Sequence, residues 1–129
     1  MLREFEAEGR VVICDLEAGV GTLLRLQPGQ ADVVVVVVNP MAKSIDVARR
    51  ALEIADGLAE VVLVANRVTG PADVEAIAEA LGREPQIVVP EDPVIAEADR
   101  DGEAPIDADA GAPGVVAIET LAERLAPAA

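Results

Sequence analysis

The sequence predicts an α/β domain in three layers, a parallel sheet of about four strands with helices on both faces, formed by one domain over residues 1–129. Three observations carry this. First, four β-rich segments (Val11–Asp15, Asp32–Asn39, Glu60–Asn66 and Gln86–Pro90) are nearly uninterrupted apolar runs rather than in-out alternations. Strands apolar on both faces belong to parallel sheets covered by helices. Second, amphipathic helical patterns lie between them, and strand–helix alternation specifies parallel pairing with right-handed crossovers. Third, 129 residues with 52% hydrophobic content are enough for one core and few for two.

The elements follow in order. Val11–Asp15 is the first expected strand, followed by a short helix or loop. The six-valine tract Val33–Val38 is the second, expected to be central or covered by a partner, because a flat apolar edge invites aggregation. Ser44–Asp56 places Ile45, Ala48, Leu52 and Ala55 at helical spacing, with Ser44 as the expected N-cap and Gly57 as the stop. Pro71 opens a helix with Asp73 and Glu75 at its positive end and Val74, Ile77, Ala78 and Leu81 on the buried stripe. Asp92-Pro93 opens a shorter one that ends by Gly102. Residues 101–113 read as an exposed loop, and Val115–Leu125 as a terminal helix returning to the sheet.

Composition excludes several function classes. Ten basic against twenty-four acidic residues give a net charge of −14, which repels a phosphate backbone, so nucleic acid is not an expected partner. Aromatics amount to 1%, Phe5 alone, which leaves no stacking platform for bases. The absence of His removes the usual general base, and a single cysteine, Cys14, excludes an internal disulfide or a cysteine-rich metal site. Cys14 reads as a small hydrophobe beside the sheet rather than a reactive thiol. No apolar run approaches a membrane span, and the charged N-terminus lacks a signal core, so the expected setting is the cytoplasm.

In parallel sheets ligands bind beyond the carboxyl ends of the strands. The polar residues there are Asp15 to Thr22, Asn39 to Ser44, Asn66-Arg67, and Pro90 to Pro93. Asp15, ending an apolar strand, is placed as a magnesium-water carboxylate would be, or as a turn-capping Asp. Glu17 reads as a loop carboxylate. Gly19-Val-Gly21-Thr22 is not a phosphate loop, since Leu16 stands where glycine, and Thr22 where lysine, would be required. Around Lys43-Ser44 the two glycines are replaced by Val37 and Ala42, and Pro40 deletes an amide. Asn66 offers a donor and an acceptor together, matching a purine edge or a turn equally. Asp92 reads either as a site residue or as a helix cap.

Taken in order, these segments resemble the MinD/ParA-type ATPases with deviant Walker motifs. Val11-Val-Ile-Cys-Asp15-Leu-Glu-Ala-Gly19 resembles their Walker B and switch segment, most nearly that of the carbon monoxide dehydrogenase nickel-insertion accessory ATPases. Val-Ala-Asn66-Arg67 resembles the adenine-contacting segment, and Pro90-Glu91-Asp92 the Pro-x-Asp base-side loop. The resemblance implies the C-terminal half of a P-loop NTPase, Rossmann-like fold. It further implies ATP or ADP with Mg2+ as cofactor, Asp15 holding Mg2+ through water, Gly19 near the terminal phosphate, and Asn66, Pro90 and Asp92 around adenine.

The family's K-G-G-x-x-G-K-[ST] loop has no counterpart in these residues, and the accessory ATPase's metal-binding Cys-x-Cys lies outside the matched region. Hydrolysis by this chain alone is therefore expected to be absent. The expected function is a partial nucleotide-binding domain that completes its site with an N-terminal-half partner chain or a second copy. The alternatives are a non-catalytic scaffold and a truncated gene product. Because the family's phosphate-loop strand lies between the first two strands seen here, these either pair directly or leave a gap for a partner.

Overall fold

The computed structural model describes residues 10–16 and 20–126. Its sheet has three parallel strands in sequence order: β1 (Val33–Val38), β2 (Glu60–Val68) and β3 (Ile87–Pro90). The helices are α1 (Ala42–Ala55), α2 (Pro71–Leu81), α3 (Pro93–Asp101), a single turn α4 (Pro105–Ala108) and α5 (Pro113–Leu125), with a 3-10 turn at Leu23–Arg25 before β1.

β2 is the central strand, and its residues divide between two cores. Leu63 and Ala65 face α1 and α2 together with Val36, Val38, Ala48, Val68 and Ile77. Val62 and Val64 join Ile87 and Val89 beneath Ala117, Leu121 and Leu125 of α5. The unbroken apolar run of β2 therefore reflects a strand covered on both sides, which establishes the expected α/β fold.

Among the described residues the sheet has three strands, fewer than the four or so expected. Residues 10–16 have no regular structure, and Val11, Val12 and Ile13 are 59%, 48% and 85% exposed. Cys14 and Asp15 are exposed with them. Direct pairing of this segment with β1 does not occur: among the described residues β1 pairs with β2 alone. A lone segment has no ladder to satisfy its amides and carbonyls, so water does so. For the same reason the six-valine tract, expected to be central or covered by a partner, forms an edge of the sheet among the described residues.

The helix ends show local chemistry at work. Ser44 is not the N-cap of α1. That position is Met41, and the Ser44 hydroxyl instead accepts from the Asn39 N–H at 2.9 Å, closing the turn after β1. At α2, the Asp73 carboxylate accepts from both the N–H and the hydroxyl of Thr69 at 2.7 Å. The backbone bond from Thr69 is the main cause holding the Asp73 carboxyl below its ordinary value, followed by the hydroxyl bond. A depressed folded pKa contributes stability that is complete above the unfolded value near 3.9 and is lost as pH falls through the lower folded value. Asp73→Asn is accordingly expected to lower stability at neutral pH, where the contribution is complete, and to leave the most acidic end little changed, so that the acid limb below about pH 4 flattens, as read by urea melts at each pH.

Asp92 is the N-cap of α3, accepting from Val94 N–H at 3.0 Å. Its second oxygen accepts from Gly114 N–H, in the first turn of α5, at 2.7 Å. One buried carboxylate thus holds two helix N-termini, where partial positive charge favours it. The stretch expected as a loop between them carries the extra turn α4.

Candidate functional site

The carboxyl ends of the strands bring Asn39, Asn66, Arg67, Pro90 and Glu91 together. Register positions Asn66 and Arg67: Ala65 pairs with Val88 and Val68 with Pro90, so two residues of β2 oppose one of β3. This is a β-bulge, which bends a strand and re-aims its side chains. Arg67 takes φ 57°, in the left-handed region. A non-glycine residue there stores strain, a feature that clusters at functional sites.

The bulge places the half-buried Asn66 amide against Asn39, Nδ2 donating to Asn39 Oδ1 at 3.3 Å. Asn66 Oδ1 and Asn39 Nδ2 bond to no described residue, leaving one acceptor and one donor of the pair unengaged among the described residues. Arg67 reaches across to Glu91 in a two-pronged pair, Nε to Oε2 at 3.0 Å and Nη2 to Oε1 at 3.3 Å. The hydrogen bond to Glu91, then its charge, raises the guanidinium pKa above its ordinary value, so Arg67 is a permanent cation. With both side chains largely exposed, the pair adds little to stability and mainly fixes geometry.

Asn39, Pro40, Met41, Arg67 and Glu91 line a shallow cavity of about 170 Å³. That is below the usual volume of a whole-ligand pocket and suits one ring system rather than an entire nucleotide. A wider, open depression of about 460 Å³ runs along the C-terminal end of α2, beside Glu75, Glu79, Arg83 and Glu84. Three carboxylates against one guanidinium repel anions, and it lies away from the strands' carboxyl ends.

Of the residues singled out from sequence, Asn66 and Pro90 lie at this rim. Asp92 follows it directly, with both oxygens engaged by backbone amides. Asp15 is exposed and makes no hydrogen bond to the rim among the described residues. Gly19 and Glu17 lie outside the described residues. Among the described residues no group of three or more Cys, Asp or Glu side chains is placed to hold a metal ion. Sequence reading placed Asn39, Arg67 and Glu91 just after strands without assigning them a role. The missing signal was the bulge, which depends on the register between β2 and β3.

A parallel sheet with helices packed on both faces defines a Rossmann-like α/β domain. The fold is the one found in part of the MinD ATPases. The MinD cell division protein of Aquifex aeolicus superposes with a TM-score of 0.62 at 30% identity, over 74% of this chain and 44% of that one. The MinC:MinD cell division protein complex from the same organism matches equally well, over 74% and 43%. The septum site-determining protein MinD of Pyrococcus horikoshii, solved with Mg-ADP, has a TM-score of 0.60 at 22% identity, over 74% and 42%, and shows the fold alone. The chain thus spans less than half the length of these structures. No protein-family model matches it, and comparison with curated proteins gives no match. Together these likenesses support a MinD/ParA-like nucleotide-binding domain.

Proposed function

We propose that this chain is a MinD/ParA-type ATP-binding domain that holds the adenine end of ATP or ADP and obtains its phosphate contacts from a partner. The observation that carries the reading is the Asn39–Asn66 pair, seated on a bulge at the strand ends beside a ring-sized cavity. Its free acceptor and donor match the N6 amino group and ring nitrogen of adenine, the pairing that asparagine makes with adenine elsewhere. Pro90 closes the rim. Asp92 acts on the base by fixing the backbone of the Pro90-Glu91 turn from behind.

Bound Mg2+-ATP would supply the phosphoanhydride; this chain's share is to orient the base. Asp15 is the candidate carboxylate toward Mg2+ through water, and Gly19 the candidate backbone near the terminal phosphate. The Asp15-Leu-Glu-Ala-Gly19 segment favours the metallocentre-maturation branch of the superfamily. The domain works as one unit in the cytoplasm, consistent with the absence, among the described residues, of any helix long and apolar enough to cross a membrane.

Calorimetric titration with Mg-ADP tests this. The expected Kd is in the range of about 0.1–1 mM, since base contacts alone carry it, and Asn66→Ala is expected to weaken it about tenfold or more. Affinity untouched by Asn66→Ala would favour the second reading, a scaffold domain using its acidic surface. Purified chain with Mg-ATP is expected to release no phosphate above blank, because its only lysine, Lys43, stands in no glycine-rich loop. Turnover abolished by Asp15→Ala would contradict this.

A further inference from the structure

The outer edge of β1 is built to pair with itself, and we propose that it joins two copies of this chain in a continuous six-stranded sheet. Its hydrogen-bonding phase is fixed by one bond. Glu60 N–H donates to Asp32 C=O at 3.1 Å, beside the pair Val33↔Glu60. In a parallel strand the N–H and C=O of one residue point to the same neighbour, and successive residues alternate. Asp32, Val34, Val36 and Val38 therefore bond toward β2, while Val33, Val35 and Val37 present their N–H and C=O groups outward. None of these outward groups bonds to a described residue.

Sheet edges are ordinarily protected by charge, proline, bulges or shortness. β3, the opposite edge, is four residues long and ends in Pro90. β1 has six residues, all valine, with no bulge in its pairing. Val37 is also 55% exposed, on the sheet face where α5 leaves the end of β1 uncovered.

A second copy fits this edge by symmetry. In the antiparallel register centred on Val35, Val35 meets Val35 of the second copy and Val33 meets Val37, so every outward group finds a partner, in about six interchain bonds. Asp32 then faces Val38, so no carboxylate opposes another across the ladder. Identical valines satisfy both faces, and each Val37 is covered by Val33 of the other copy, a β-branched pair suited to cross-strand packing. The two-fold axis uses up the outer edge of β1, and β3, the other edge among the described residues, is short and ends in Pro90, so assembly stops at a dimer. The pairing does not depend on the nucleotide reading, and a strand supplied by another chain would have to displace it.

Sedimentation equilibrium of the full chain from about 5 to 500 µM is the test. Monomer and dimer should exchange with a Kd of about 10–100 µM, the range expected of a small interface. The net charge of −14 on each copy makes the dimer tighter at about 0.5 M than at 0.05 M salt. Val35→Pro and Val37→Pro each delete one outward N–H per copy, leave the bonds to β2, and should weaken the dimer about tenfold or more. Where Val35→Pro loses its circular-dichroism signal, Val37→Pro at the exposed position decides. A monomer throughout this range, a dimer that survives the substitutions in folded protein, or assemblies larger than two would overturn the proposal. The Asn66→Ala titration is unaffected by any of these results.

Discussion

Leu63→Ala is expected to destabilise the fold by about 3–5 kcal/mol, the largest effect of any single substitution considered, because the site cannot collapse around the lost atoms. Leu63 is fully buried in the central strand, and its side chain packs among Val36, Val38, Ala48, Ala65, Val68 and Ile77. With 1% aromatics, the interior is made of small aliphatic side chains. The leucine and Ile77 are the largest members of this cluster, and β-sheet backbone on one side with helix on the other leaves little room to relax. Natural domains of this kind are stable by about 5–15 kcal/mol, so the loss is a large fraction of the total. Urea melts followed at 222 nm should show the midpoint falling with little change in slope. An unchanged midpoint would mean that β2 is not central.

Asp92→Ala is expected to cost about 2–4 kcal/mol, from one lost N-cap and one buried N–H left without a partner. Both oxygens of Asp92 are engaged, by Val94 of α3 and Gly114 of α5, so one truncation frees two helix ends. Asp92→Asn keeps the shape but points an amide N–H2 at one of the two donors, and is expected to recover only part of the loss. Gly114→Ala attacks the same junction from the other side. Its Cβ would lie 2.6 Å from Ile95 Cδ1 and 3.0 Å from Asp92 Cβ, inside contact distance. Because both substitutions strike one contact, their effects should fall short of additive in a double-mutant cycle. Full additivity would contradict the shared junction.

The same junction bears on the site. Asp92 follows Glu91 directly, and Glu91 holds Arg67 across the rim. Loosening Asp92 should therefore reduce nucleotide affinity without removing any group that touches the base. The acid sensitivity of α2 through Asp73 is separate, at the other side of the bulge, and should leave nucleotide binding unchanged at neutral pH.

Much of this architecture is written in local sequence. The apolar runs at Val33–Val38, Glu60–Asn66 and Gln86–Pro90 became β1, β2 and β3 because strands covered on both faces need unbroken apolar runs. Pro71 and Pro93 open α2 and α3, and Gly82 and Gly102 close them with φ of 64° and 70°. Val11–Asp15 has the same composition as those strands but pairs with no strand among the described residues, and pairing is a property of the whole sheet that composition does not carry. The Ser44 hydroxyl bonds backward to Asn39 rather than capping α1, a choice set by the tight turn through Pro40.

At the site, Asn66 was visible as an amide at a strand end. Its partner Asn39, twenty-seven residues away, and the Arg67–Glu91 pair depend on register and on the bulge. No spacing along the chain announces a bulge. Asp92 shows the converse: its position before Pro93 announced a cap, while its second bond, to Gly114, depends on how α5 returns to the sheet.

In the proposed function the Asn39–Asn66 pair and the cavity beside it receive an adenine ring. The most direct measurement is a titration of isotope-labelled chain with adenosine, followed by amide and side-chain NH2 shifts. Saturable shifts are expected at about millimolar ligand, confined to Asn39, Met41, Asn66, Arg67 and Glu91, with the Asn39 and Asn66 side-chain amides moving most. Shifts centred on another surface, or unchanged Asn66 resonances at concentrations where Mg-ADP binds, would contradict it.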